Sequence, residues 1–367
     1  MKRINNVYQN IYKVENIIEV ANKVCKTTKN KKKVELFQEH YLENIYKIRE
    51  DLISKNYKPD RYNVFFIYEP KIRLVMSQNF KDKIVNSLVA KYILSYVYED
   101  KLISTTIATR KDKGLHYGIK LTKQYINKMK NNYGDEFYYL KFDIKKYFYN
   151  IDHKIAISML EEKIKDKDAL NIIKLIIDST DEDYINREIE RLKNIQIKKI
   201  IKSNLPHKEK IIEEIKNIPL CEKGKSLPIG SMLSQIIALI YLDKLNHFIK
   251  EELHIKYYIL YMDDGVLFHH DKEYLKYCKN EIEKFVKNNL NIELNKKKTK
   301  ISNIKNGIDF IGYRYYIVNN KIVMKVRNKT KRRFKEKAKK DYRKTKNTYK
   351  WFLELGDCKG LIYNSKN

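Results

Sequence analysis

Cysteine is scarce in this chain: four residues in 367, Cys25, Cys221, Cys278 and Cys358, each far from the next. That spacing argues against both a disulfide framework and a zinc site. Long apolar runs are also missing. The longest uninterrupted one, Ile236 to Leu242, is too short to cross a bilayer, and the N-terminus lacks the apolar core of a signal peptide. A cytoplasmic protein with no membrane partner is the expectation. Acidic residues are outnumbered, 46 against 77 Lys and Arg, which leaves a formal charge of +31. A solvated, lysine-inflated surface explains part of this excess. Its size still favours a polyanionic partner, held through phosphates and weakened by salt. The 30 tyrosines and 13 phenylalanines offer rings on which bases can stack, although most are expected in the core.

The most informative stretch is Tyr257 to His270. Two adjacent carboxylates, Asp263 and Asp264, interrupt two apolar, aromatic-rich runs that read as buried strands, and Asp264-Gly265 reads as a hairpin turn. Burying either charge alone is expensive, and a divalent cation would compensate it. Taken alone, the tripeptide reads better as a solvated turn. That reading gives way only if a third carboxylate stands at another strand end, and Asp143 closes the strand-like run that begins at Phe137. Mg²⁺ takes oxygen ligands, usually one or two protein carboxylates with substrate phosphates. In two-metal phosphoryl transfer the ions sit about 3.5–4 Å apart, and three aspartates on two neighbouring strands could hold such a pair.

Several motifs, in order, resemble those of the reverse transcriptases. Phe142 to Phe148 is similar to the first palm motif, Leu227 to Gln235 to the middle motif, and Tyr261-Met262-Asp263-Asp264 to the family's hallmark. Leu294 to Thr299 resembles the lysine-bearing motif and Asp309 to Tyr313 the primer-grip hairpin. Glu69 to Arg73 and Ala108 to His116 resemble finger motifs. The resemblance runs from about residue 40 to the C-terminus and implies an α+β, right-hand polymerase: fingers, a palm with an antiparallel sheet, and a helical thumb. It places N-terminal helices and fingers at 1–136, the first part of the palm at 137–157, and a helical segment, partly fingers, at 158–223. The second part of the palm, with the primer-grip hairpin, follows at 224–316, and a basic helical thumb at 317–367. Nothing in the chain resembles an RNase H, integrase, protease or HNH module.

The resemblance also implies roles. Asp143, Asp263 and Asp264 become catalytic metal ligands, with the Ile144 carbonyl a further one, for two Mg²⁺ ions or Mn²⁺ in their place. Lys71 and Arg73 become candidates for the triphosphate clamp, or partners of Glu69. Lys298 matches a lysine that protonates pyrophosphate. Phe148 matches the steric gate beneath the sugar, where a ring would clash with a 2′-hydroxyl, and Tyr147 would line the same pocket. Gly230 would let backbone approach the nucleotide, with Ser234 and Gln235 on the helix below. Gly312 and Tyr313 would hold the primer end. Most relatives carry glutamine and proline where this chain has Ile229 and Gln235. The variant resembles the diversity-generating retroelement enzymes and related bacterial lineages, several of them antiphage. Isoleucine cannot hydrogen-bond through its side chain, so base selection would lean on shape.

Residues 1–60 read as helical, with Lys29 and Lys31 to Lys33 as a basic cluster between two helices. Residues 61–76 read as a strand pair, Asn79 to Asp100 as a buried helix, 117–131 as a basic helix and 273–290 as an amphipathic one. Asp152 is expected to cap a helix, which leaves it and His153 outside the catalytic set. Pro206 and Pro219 are expected to break the helical stretch 158–223. From Lys325 to Lys350 there are fourteen Lys and Arg against Glu336 and Asp341. Such a segment reads as a helix facing nucleic acid, with Lys331, Arg332 and Arg333 as contacts.

The expected activity is RNA-directed DNA synthesis on a dedicated structured non-coding RNA, with dNTPs and a primer–template duplex as substrates, in antiphage defence or a diversity-generating retroelement. An accessory protein or a homo-oligomer is a further expected partner. Template-independent or protein-primed synthesis is the alternative within the same fold, and a catalytically silent RNA-binding scaffold the alternative outside it.

Overall fold

The computed structural model describes residues 3–69, 71–205, 207–356, 358, 360 and 361. The chain divides into two units, each built from separated segments. The first comprises Met1–Ile103, Lys146–Asp243 and Asn288–Ile292, and the second Ser104–Lys145, Lys244–Lys287 and Glu293–Asn367.

The first unit is mainly helical. Helix Val14–Thr27 buries Ile17, Val20, Ala21, Val24 and Cys25, a stripe at the spacing of one helical face. Helix Phe80–Val89 begins at Asn79, whose side chain accepts from Asp82 N at 2.8 Å, and continues as a π-helical stretch Ala90–Ser95. Of the basic cluster expected between two helices, only Lys29 lies there, and Lys31 to Lys33 do not. They form the first turn of helix Lys31–Glu39, because Asn30 caps it by accepting from Lys33 N. Asp152 caps helix His153–Glu161 through Lys154 N and Ile155 N. The stretch that follows is helical over Lys167–Asp178, Asp183–Ile201 and Lys208–Lys216, with Pro219 beyond the last. Pro206 lies outside the described residues. Helix Met232–Tyr241 is buried on nearly every side.

This unit also holds a two-stranded antiparallel sheet, β1 (Asn63–Ile67) and β2 (Arg73–Ser77), in which Ile67 faces Arg73 and Phe65 faces Val75. Its inner face, Val64, Leu74 and Met76, packs with Ile185 and Ile189 of helix Asp183–Ile201.

The second unit is built on β3 (Tyr138–Asp143), β4 (Tyr257–Tyr261), β5 (Asp264–His269) and β6 (Lys300–Asn303), all antiparallel in the order β4-β5-β3-β6. A second sheet has the order β7 (Ile308–Phe310), β8 (Tyr313–Val318), β9 (Lys321–Val326). Phe137, Tyr139, Phe268, Phe310, Tyr315 and Phe334 are among the rings of its shared core. Helix Leu115–Tyr133 and amphipathic helix Lys272–Leu290 also form as the sequence pattern suggests. The basic tail is two helices, Asn328–Lys340 and Tyr342–Leu355, because Asp341 leaves the helical conformation and accepts from Lys344 N to start the second.

The hairpin turn is displaced from its expected place. Asp264 and Gly265 are already paired within β5, and the connecting residues are Met262 and Asp263, with Met262 at φ 55°. Gly265 serves close packing against Phe142 instead of the turn. All four cysteines are buried and free. Among the described residues, no helix is long and apolar enough to cross a membrane.

Candidate active site

Side chains alternate along a strand, so Tyr139, Lys141 and Asp143 share one face of β3. Asp143 stands opposite Asp264 in the β3–β5 register, and Ile144 N donates to Asp263 O at 3.3 Å. The three aspartates therefore gather at one end of one sheet, inside the second unit. Asp143 is only 5% exposed. Its Oδ2 accepts from Lys298 Nζ at 2.6 Å, its Oδ1 from Asn295 Nδ2 at 3.1 Å, and its backbone oxygen from Asn295 N at 2.7 Å. Lys141 Nζ lies 3.6 Å from Asp264 Oδ2.

Burial, followed by the negative charges of Asp143 and Asp264, pushes the Asp263 carboxyl up to about 6. Burial also raises Asp264, against the pull of Lys141. Both shifts come first from desolvation of the charged form, with the charge of neighbouring carboxylates added to it. The donors are carboxylate oxygens, the set that hard divalent cations prefer. These residues fit a divalent ion.

Lys141 and Asn295 escaped the sequence reading. A signal existed for each: Lys141 is two residues before Asp143, hence on its face, and Asn295 lies inside the motif that contains Lys298.

The other candidates of the second unit are placed as follows. Gly312 has φ +92°, and a Cβ there would stand 3.0 Å from Phe352 Cζ. Tyr313 is fully buried, stacked on Phe352 at 4.5 Å with its hydroxyl on the Phe352 carbonyl. Its ring is core, and it supports the hairpin from within. Lys331 and Arg333 are half-buried and Arg332 exposed on helix Asn328–Lys340.

Lys71, Arg73, Tyr147, Phe148, Ile229, Gly230 and Gln235 belong to the first unit. Several of them meet there. Met76 N donates to Ile229 O at 3.3 Å, and a Cβ on Gly230 (φ +115°) would lie 3.3 Å from Val75, so the middle motif packs on the strand that carries Arg73. Arg73 is exposed, and Lys71 also lies on the surface. Leu227 N donates to Phe148 O at 2.7 Å. Phe148 is half-buried, whereas Tyr147 is buried, with its hydroxyl on the Ala238 carbonyl and its ring edge-on to Phe148. Tyr147 thus backs Phe148 from the core. Gln235 is half-buried and Ser234 buried on helix Met232–Tyr241.

The first unit also contains a group absent from the sequence-derived site. His153 Nδ1 faces Asp178 at 3.0 Å and Asp181 at 3.8 Å, while Nε2 meets Ser226 O at 2.7 Å. The spacing is compatible with a metal. The same contacts also fasten the start of the middle motif to helix Lys167–Asp178.

Residues 57–315 match the family model described as reverse transcriptase (RNA-dependent DNA polymerase). No curated protein matches the chain. Among solved structures, it is similar to apo telomerase from Candida tropicalis at 14% identity and a TM-score of 0.42, covering 72% of this chain and 48% of that one. It is also similar to telomerase from Candida albicans in complex with a TWJ fragment of telomeric RNA, at 14% identity and a TM-score of 0.46, covering 79% and 51%. The chain spans about half the length of these two structures.

Proposed function

The chain belongs to the reverse transcriptase family, RNA-directed DNA polymerases of right-hand fold, and on that premise we propose that it copies a dedicated structured RNA by adding dNTPs to a primer 3′-hydroxyl. The observation that carries the proposal is the convergence of Asp143, Asp263 and Asp264 at one sheet end, with Asp263 pushed up to about 6 by burial and by its neighbours' charge.

These carboxylates would hold two Mg²⁺ ions, or Mn²⁺, together with the Ile144 carbonyl. Bound there, the ions would supply charge neutralisation at the attacking and leaving oxygens. The chain's own residues do the rest by position and electrostatics. Asn295 orients the Asp143 carboxylate, and Lys298, anchored on Asp143, would offer an ammonium with a transferable proton to the departing pyrophosphate. Lys71 and Arg73 offer surface cations to the triphosphate. Phe148, backed by Tyr147, excludes a 2′-hydroxyl. Ile229 and Gly230 present an apolar, close-approach surface to the nucleotide, and Gln235 lies on the helix that follows. Lys331, Arg332 and Arg333 grip the duplex backbone.

The Ile229/Gln235 variant supports a role in antiphage defence or in a diversity-generating retroelement. The test is to sequence the nucleic acid that co-purifies with the protein, together with the DNA it makes from dNTPs. One enriched RNA and a complementary DNA product are expected. A random RNA population would overturn the dedicated template, and DNA unrelated to any bound RNA would overturn templated synthesis.

A further inference from the structure

Two side chains of β3 reach the backbone that leads into β7. Tyr139 Oη donates to Gly307 O at 3.0 Å, and Lys141 Nζ donates to Asp309 O at 2.9 Å. Side chains two residues apart on one strand thus bind carbonyls two residues apart on the other. The next residue in the same row is Asp143. Lys141 Nζ has a second partner in Asp264 Oδ2, 3.6 Å away, and its side chain is only 12% exposed. The carboxylate of Asp309 is paired in turn with Arg327, which precedes helix Asn328–Lys340.

We propose that Lys141 is a positioning residue that locks the β7–β8 hairpin to the carboxylate of Asp264, so that the primer end and the metal-holding carboxylates share one frame. The inference rests on the reading of Asp143, Asp263 and Asp264 given above, and on the hairpin as the primer's seat. Lysine suits the task chemically. Three N–H donors on one ammonium can serve a carbonyl and a carboxylate together, and a charge this buried needs both partners. Neither Asp309 O nor Asp264 is held by lysine's hydrocarbon stem, so methionine keeps the packing and removes both the hydrogen bond and the ion pair. The consequence is a hairpin free to shift against Asp264. A displacement of about 1 Å at a reacting centre can cost roughly 10²-fold in rate.

The test is single-nucleotide extension of a DNA primer on an RNA template by the full chain, by Lys141→Met and by Lys141→Arg, with Asp263→Asn alongside. In Lys141→Met, kcat at saturating Mg²⁺ and dNTP should fall about 10- to 100-fold. Primer–template Kd and Tm should stay near those of the unsubstituted chain. Lys141→Arg, which keeps charge and donors, should retain most of the rate. A normal kcat in Lys141→Met overturns the proposal. So does a loss matched by primer release, by unfolding or by a higher Mg²⁺ requirement, and so does an arginine variant as slow as the methionine one. If Asp263→Asn is inactive while Lys141→Met is normal, this inference alone fails. If Asp263→Asn is also normal, the reading of the aspartates fails.

Discussion

The ring of Phe142 occupies the space where a side chain on Gly265 would go: a Cβ built there would stand 2.2 Å from Phe142 Cζ. The two residues are paired across β3 and β5, one position from the Asp143–Asp264 pair. The glycine is what lets the aspartate hairpin lie flat against the strand that carries the third carboxylate. Gly265→Ala should therefore destabilise the chain by about 1–3 kcal/mol, the usual cost of overpacking, and lower polymerase activity with it. Urea denaturation of the two proteins measures this, and equal midpoints would show that the ring yields without cost.

Asp263 provides a pH signature. Its folded carboxyl is raised from 3.8 to about 6, so the folded chain binds that proton more tightly than the unfolded chain does. The associated stability is complete below about pH 4 and is lost as pH rises through about 6. At neutral pH without divalent ions, the ionised group costs up to about 2–3 kcal/mol at 1.36 kcal/mol per unit. In EDTA, Asp263→Asn should melt above the unsubstituted chain at pH 7.5 and level with it near pH 4. Parallel pH profiles would contradict the burial of the Asp263 carboxyl beside its two acidic neighbours.

Phe148→Ala should admit ribonucleotides. Tyr147 holds its own place through the Ala238 carbonyl, so if Phe148 is the gate, truncating it opens space for a 2′-hydroxyl while its neighbour stays anchored. The ratio of rNTP to dNTP incorporation by a folded variant is the measurement. An unchanged ratio would place the gate elsewhere.

Charge reversal at Lys331, Arg332 and Arg333 tests the helix that follows Arg327. If these cations neutralise phosphates, duplex binding should weaken and its log–log salt slope should flatten by up to about 0.9 for each phosphate no longer neutralised. Identical slopes would make this face a solvated one.

Much of this was legible in the sequence. The alternation that ends in Asp143, the paired aspartates between two apolar runs and the capping role of Asp152 are local patterns, and each carries its own physics. Packing that depends on a distant partner was not legible. Asp-Gly suggests a turn, but the demand of Phe142 for space keeps Gly265 inside β5. Lys141 reads as an ordinary strand lysine until β7 brings Asp309 O to it. Tyr147 and Phe148 are adjacent and alike in composition. Only the one-turn helix Tyr147–Asn150 sends the first into the core and leaves the second half-buried. A run such as Lys31 to Lys33 reads as a stretch between helices because its charge hides the cap that Asn30 supplies.

The most direct measurement is dNTP incorporation on a primed RNA template by Asp143→Asn and Asp263→Asn, with RNA binding measured in parallel. If these carboxylates hold the catalytic ions, both variants should fold and bind RNA nearly as the unsubstituted chain does, yet incorporate no detectable nucleotide. Extension at a comparable rate by either variant would contradict the assignment of this sheet end as the polymerase centre.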